Sequence, residues 1–335
     1  MPDSAVSLRE FTFPSSDGLH QVHAMEWLPA GREPKAVVQL VHGMSEYIAR
    51  YDPFARFLAG QGYAVVGHDH LGHGKTAAGP EEYGFLAEEN GWRFLLLDTR
   101  TLRVETGERF PHIPYFLMGH SMGSFVARGY LIEYSGSVDG CILSGTGQEP
   151  PGVVSLGNLA AGILGKLKGK HAHSSFLNKL SVGAYNARFK PNRTSADWIC
   201  GDEAVVDAYL ADPLCNFLPT IGMYGDIFRG LEFLSTPSNL RKMDSFVPVY
   251  LFSGDRDPVG EMGDGVKQVY SILRYNGVRE VTLKLYPGGR HEMLNEANKA
   301  EVYADVLAWL EEHLIKKPLP DYVEQGERRG SIASI

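Results

Sequence analysis

The chain has 335 residues, 44% of them hydrophobic and 21% charged, with a formal net charge of −8. That is enough apolar chain for one large domain or a domain carrying an insertion. Its acidic balance argues against nucleic acid, whose binding rests on Lys and Arg neutralising phosphates. Cys141, Cys200 and Cys215 are odd in number and show no C-x-x-C spacing, which fits reduced thiols better than a disulfide framework or a zinc site.

In chain order, "MPDSAVSLREFTFPSSDG" lacks the charged and apolar regions of a secretory signal, and no run of about 18 apolar residues follows anywhere. The expected location is cytoplasmic. Residues 5–28 read as a hairpin turning at "SSDG". Six apolar runs come next: "AVVQLVHG", "YAVVGHD", "YFLMGHS", "GCILSG", "VPVYLFSGD" and "VTLKLYPGG". Each ends in Gly or a polar turn, as buried parallel strands do. Helical patterns separate them at 52–60, 91–109, 122–134, 264–275 and 297–314, the last placing Val302, Val306, Trp309 and Leu310 on one stripe. The alternation predicts a mostly parallel, doubly wound α/β sheet. It stops over 148–235, where helical patterns at 202–210 and 221–235 stand without a clear strand. The expected organisation is a sheet core from 1–147 and 236–315, an inserted helical cap at 148–235, and a polar, breaker-rich and disordered tail at 316–335.

The chemistry gathers at the strand ends. "YFLMGHSMGSF" holds G-x-S-x-G as Gly119, His120, Ser121, Met122 and Gly123, between an apolar strand and a helix. A serine on that sharp turn projects its hydroxyl above the sheet, and the flanking glycines leave room for neighbouring backbone. A hydroxyl needs a base to remove its proton, and the base needs an acid to orient it. In chains with this elbow the acid and then the histidine follow the serine. "LYPGGRHEMLNE" presents His291 after a strand, whereas His20, His23 and His313 sit in less suitable places. For the acid, "LFSGDRDPVG" offers both Asp255 and Asp257. Strand alternation does not separate them. Pro258 holds Asp257 extended, and Asp255, beside Gly254, suits a turn bond. "VVQLVHGMSEY" ends a strand at His42-Gly43, so the backbone N–H groups of Met44 and Met122 are the expected oxyanion-hole donors. "GHDHLGHGKT" crowds His68, Asp69, His70 and His73 together, but a glycine-rich turn accounts for that composition better than a metal does.

Together, "VHGMSEYIARY", "GHDHLGHGKT", "GHSMGS", "ADPLC", "GDRDPV" and "GGRHEMLNE" resemble the monoglyceride lipase and lysophospholipase branch of the α/β-hydrolase superfamily, grouped with serine aminopeptidase-type hydrolases. The resemblance runs from about residue 10 to 315. It implies an α/β-hydrolase fold with a cap, ester hydrolysis through an acyl-enzyme, and no metal or organic cofactor. Its G-x-x-D assigns the acid to Asp257, leaving Asp255 to shape the turn. Two positions depart from the pattern. Met44 stands where a small residue is common and is expected to narrow the acyl pocket. Ser124 replaces a frequent glycine and fits a helix's first turn.

The expected substrate is a small acyl ester of the monoacylglycerol or lysophospholipid type. An aminopeptidase or amidase with the same triad is the alternative, and it needs a cap carboxylate for the free amine. Glu149, Asp202, Glu203 and Asp226 are the candidates. A non-catalytic binding protein would lack a triad member. "PGVVSLGNLAAGILGKLKGK" reads as a helix packed over the site or as a lid making peripheral membrane contact, the first being favoured. "ADPLCNF" and "IGMYGDIF" suit an adaptable apolar pocket or the cap's own core. No oligomeric state is legible.

Overall fold

The computed structural model describes residues 6–314. The tail expected from 316, with its kinase-site-like "RRGS" at 328–331, lies outside the described residues. An eight-stranded sheet runs in the order β1-β2-β4-β3-β5-β6-β7-β8. β1 (Val6–Pro14) and β2 (Gln21–Pro29) form the N-terminal hairpin, and β2 pairs antiparallel with β4 (Tyr63–His68). The remaining strands, β3 (Ala36–Val41), β5 (Tyr115–His120), β6 (Gly140–Ser144), β7 (Val249–Gly254) and β8 (Val281–Tyr286), pair in parallel. This is the doubly wound α/β sheet expected from the alternation of apolar runs.

The continuous apolar runs follow from burial on both faces. Within β3, Ala36, Val38 and Leu40 enter one core cluster while Val37 and Val41 enter the other. Successive side chains point to opposite faces, so both must be apolar. One face packs under α1 (Asp52–Gly60), through Phe54 and Leu58, and under α10 (Lys299–Glu312), through Val302, Val306 and Trp309. The other packs under α2 (Gly91–Arg109), α3 (Met122–Glu133) and α9 (Asp264–Tyr275).

Between β6 and β7 the chain forms α4 (Pro151–Lys168), α5 (Ser175–Leu180), α6 (Glu203–Ala211), α7 (Ile221–Ser235) and α8 (Pro237–Leu240), and adds no strand to the sheet among the described residues. Side-chain caps start three of these helices: Ser174 accepts from the Leu177 N–H, Asp202 from Ala204 and Thr220 from Met223. α4 turns Val154, Gly157 and Ala161 inward but leaves Leu156, Leu159, Ile163 and Leu167 exposed. Ala196, Ile199, Cys200, Val206, Tyr209 and Cys215 form a small separate core in this segment. All three cysteines are free and buried. No helix among the described residues is long and apolar enough to cross a membrane.

Candidate active site

The end of β5 turns into α3 at Ser121, whose φ of 53° and ψ of −121° lie outside the regions favoured by L-residues. Such backbone persists only where its surroundings hold it. Ser121 donates its N–H to the Ser144 carbonyl at the end of β6 (2.9 Å), and its own carbonyl accepts from the Ser124 N–H (2.8 Å) and hydroxyl (2.6 Å). Ser124, one of the departures from the sequence pattern, is therefore part of the elbow's own hydrogen bonding. The two glycines are sterically required. A Cβ at Gly119 would lie 2.1 Å from the Gly123 carbonyl oxygen, and one at Gly123 would lie 2.0 Å from that of Val41.

His291 arrives on the loop after β8. Its Nδ1 lies 2.9 Å from Asp257 Oδ2, and both side chains are buried. Asp257 also accepts from the Ser253 hydroxyl (2.8 Å) and the Val259 N–H (2.9 Å). Burial works against its carboxylate, but the His291 charge and hydrogen bond, aided by Ser253 and Val259, hold its pKa below the usual value. For His291, burial disfavours the imidazolium, while Asp257, then Glu292 and Glu46, raise its pKa above 6.5. With Nδ1 engaged, Nε2 is the ring nitrogen left for chemistry. Asp255 takes a different partner: its Oδ1 accepts from the Gly288 N–H at 2.7 Å. It thus ties its own turn to the loop carrying His291 instead of closing a bond within "GDRD".

The turn after β3 lies directly against the elbow, since a Cβ on Gly43 would sit 3.1 Å from the Ser121 Cβ. His42 sets that turn's orientation. Its Nε2 accepts from the His70 N–H (3.0 Å), so Nδ1 carries the proton and donates to the Gly43 carbonyl (2.7 Å). In a trans peptide the C=O and N–H point opposite ways, so fixing the Gly43 carbonyl also fixes the Met44 N–H. Met122 occupies the first helical position of α3, where an N–H has no partner within the helix.

His42, His68, His70 and His73 form a buried cluster of rings, with centroids 4.1 Å apart for His42–His70 and 5.0 Å for His68–His70. Burial lowers their pKa values, to about 3 for His42 and about 4 for His68 and His73. The composition attributed to a turn is therefore a packed neutral core behind the turn that follows β3. Among the described residues no group of three or more His, Cys, Asp or Glu side chains is arranged to hold a metal ion.

Ser121, Met122, Met44 and His291 line one cavity of about 280 Å³, walled on the far side by Tyr224, Phe228 and Leu231 of α7. "ADPLCNF" and "IGMYGDIF" each divide between two roles: Asn216, Phe217, Tyr224 and Phe228 line the cavity, while Cys215 belongs to the small helical core and Ile221 and Met223 to the main one. Of the four candidate amine-holding carboxylates, Glu149 alone lines this cavity. Asp202 caps α6, Glu203 faces Arg193 at the surface, and Asp226 is buried against Arg229. Motif reading missed Trp198, whose ring centroid lies 5.1 Å from that of His291. It also missed the ion-paired group of Glu46, Arg50 and Glu292. The only sequence signals for that group are the i,i+4 spacing of Glu46 and Arg50 and the position of Glu292 beside His291.

A family model described as Serine aminopeptidase, S33, matches residues 32–298. The chain is 30% identical over 310 residues to a monoacylglycerol lipase of Mycolicibacterium smegmatis, covering 91% of this chain and 98% of that protein. It is 26% identical over 298 residues to the monoglyceride lipase of Homo sapiens, covering 85% and 84%. A thermostable carboxyl esterase from Bacillus coagulans, solved in complex with glycerol, superposes with a TM-score of 0.86 at 32% identity, over 92% of this chain and 99% of that one.

Proposed function

The chain belongs to the serine aminopeptidase S33 family, with the α/β-hydrolase fold, and from that premise we propose that it cleaves carboxylic esters of the monoacylglycerol or lysophospholipid type. The observation that carries the reading is the buried His291–Asp257 pair, which shares a largely apolar cavity with the strained Ser121.

In this mechanism His291 Nε2 takes the Ser121 proton as Oγ attacks the ester carbonyl carbon. The Met44 and Met122 N–H groups receive the developing oxyanion, each such donor contributing about 3–4 kcal/mol in the transition state. Collapse breaks the ester bond, and the imidazolium gives its proton to the leaving alcohol. Water, deprotonated by the same His291, then attacks the acyl carbon, and the imidazolium returns that proton to Ser121 Oγ as the acid leaves. Asp257 holds the Nδ1–H tautomer and offsets the imidazolium charge. No step requires a cofactor.

The helical segment at 148–235 acts as a cap over the cavity, and the exposed apolar face of α4, with Lys166 and Lys168 in its last turn, suits peripheral contact with lipid. Glu149 supports an aminopeptidase as the second reading, because its half-buried carboxyl lines the cavity.

A panel of monoacylglycerol, lysophospholipid, p-nitrophenyl ester and aminoacyl-naphthylamide tests both readings. Ester turnover that vanishes in Ser121→Ala, together with fluorophosphonate labelling of Ser121, is the expected result. Preferred cleavage of the naphthylamide would transfer the assignment to the peptidase. Ester turnover unchanged in Ser121→Ala would remove both readings.

A further inference from the structure

Met44 and His291 sit on loops more than 240 residues apart in sequence, and a buried charge bridge joins those loops. Arg50, whose side chain is 13% exposed, donates from Nη1 to Glu46 Oε2 (2.7 Å) and Glu292 Oε1 (2.8 Å), and from Nη2 to Glu292 Oε2 (2.8 Å). Glu46 Oε1 accepts from the Gly43 N–H (2.6 Å), in the oxyanion turn, and from the Tyr51 hydroxyl (2.8 Å). Glu292 follows His291 directly, accepts from Asn295 (2.8 Å) and donates its N–H to the Ile199 carbonyl (2.7 Å). Every link is a hydrogen bond to a carboxylate or to a backbone carbonyl, and the Glu46 and Glu292 side chains are both buried.

Stability alone is a weak reason to keep such a group. Desolvating two carboxylates and a guanidinium can cost as much as their attraction returns, and apolar replacements of buried ion networks are often neutral or stabilising. A forked guanidinium supplies fixed geometry instead, because both its distance and its plane are constrained. We propose that the Glu46–Arg50–Glu292 bridge is a positioning device that holds the Met44 N–H and the His291 ring in register across Ser121, a role that rests on the ester-hydrolase reading above. Glu46 and Glu292 also line the cavity beside Ser121 and His291, so the split between kcat and KM separates positioning from contact with the substrate.

The bridge also has an electrostatic consequence. Against the effect of burial, Arg50 holds the Glu292 carboxyl ionised, with its pKa lowered to about 2, and so keeps a negative charge beside His291, whereas burial and the Glu292 charge raise the pKa of Glu46. The charged and titratable groups facing that ring are Asp257, Glu292, Glu46 and His120, whose ring centroid is 4.6 Å away, with Arg50 behind the two glutamates. His120 is held neutral by burial, then by His291 itself, with its pKa near 3. Removing the Glu292 charge therefore disfavours the His291 imidazolium and moves the acid limb of kcat/KM to lower pH.

The test uses the full chain with p-nitrophenyl butyrate and monoacylglycerol as substrates. Glu292→Gln keeps the side-chain shape and removes the charge. Its kcat is expected to fall by about ten- to a hundredfold with KM within about twofold, as for a small displacement of reacting groups. The acid limb should shift downward, and Glu292→Asp should recover part of the loss. Arg50→Lys, which cannot fork across both carboxylates, should show the same kcat loss and carries the test if Glu292→Gln does not fold. A folded Glu292→Gln protein with parental kcat and pH profile overturns the role. So does an effect confined to KM, which would make these side chains a ligand subsite. Ser121→Ala run beside it separates the two levels: an inactive Ser121→Ala next to a fully active Glu292→Gln defeats only the bridge, whereas full turnover in Ser121→Ala defeats the hydrolase reading.

Discussion

The loops at the strand ends and the helical segment between β6 and β7 treat polar groups in opposite ways. At the strand ends the polar groups are pinned: Asp257 accepts three hydrogen bonds, and His42 is held through both ring nitrogens. In the helical segment the cavity wall includes Phe228 and Leu231, held by packing, and Tyr224, whose hydroxyl donates to Asn178 Oδ1 (2.9 Å), and α4 carries an apolar face to the surface. Reaction geometry is sensitive to displacements of about an ångström, whereas apolar contact varies smoothly with shape. One region is built to fix atoms and the other to accommodate volume. Substitutions in the two should therefore have different kinetic signatures.

The sharpest way to break this contrast is at the acid. Asp257→Asn should lower turnover by about 10⁴, because an amide cannot hold His291 in the required tautomer. Asp255→Asn, which keeps an oxygen for the Gly288 N–H, should leave kcat within about threefold. The reverse ranking, measured on a soluble ester, would exchange the two assignments.

Acid stability should also belong to the strand-end region. The folded chain keeps His42, His68 and His73 neutral, with pKa values depressed from 6.5 to about 3–4, so the unfolded chain binds more protons between those limits. Stability is thus fully present above about pH 6.5 and is lost as pH falls toward 4, by roughly 3 kcal/mol for each histidine. Urea midpoints measured from pH 7 to 4 check this. Both ring nitrogens of His68 are buried without a hydrogen-bond partner among the described residues. His68→Leu should therefore keep pH 7 stability within about 1 kcal/mol while reducing the acid loss. An unchanged acid dependence would place its origin elsewhere.

The smallest expected effect lies in the helical segment. Phe228→Leu reshapes the cavity wall without touching a hydrogen bond. It should change kcat/KM for long-chain acyl esters by roughly tenfold, with butyrate esters within about threefold. Equal losses on both chain lengths would mean that α7 also positions the reacting groups.

Much of the fold was legible because its signals are local. The expected helices at 52–60, 91–109 and 264–275 coincide with α1, α2 and α9, and the six apolar runs contain β3 to β8. Two faces of burial demand uninterrupted apolar strands, and that demand is written in consecutive residues. The elbow is legible from its spacing, with Gly119 answering to the Gly123 carbonyl inside the motif, although Gly123 answers to Val41, which only the fold brings near. The histidine cluster was not. His42, His68, His70 and His73 look like loop composition until β3 and β4 are placed side by side, after which burial makes them a neutral core.

The sequence by itself determined the strand–helix alternation, the position of the strained serine and the order in which an acid and a histidine follow it, because each depends on neighbours along the chain. The tertiary structure alone decided which of four carboxylates lines the cavity and that Arg50 links the turn after β3 to Glu292, and it sets Asp257 against His291, where the G-x-x-D resemblance assigns the acid. Asp255 and Asp257 have nearly the same local sequence. What separates them is the path of the loop after β8, which brings the Gly288 N–H to one and the His291 ring to the other. Contacts between residues distant in sequence depend on where the packed core places the strand ends, and no local pattern encodes that placement.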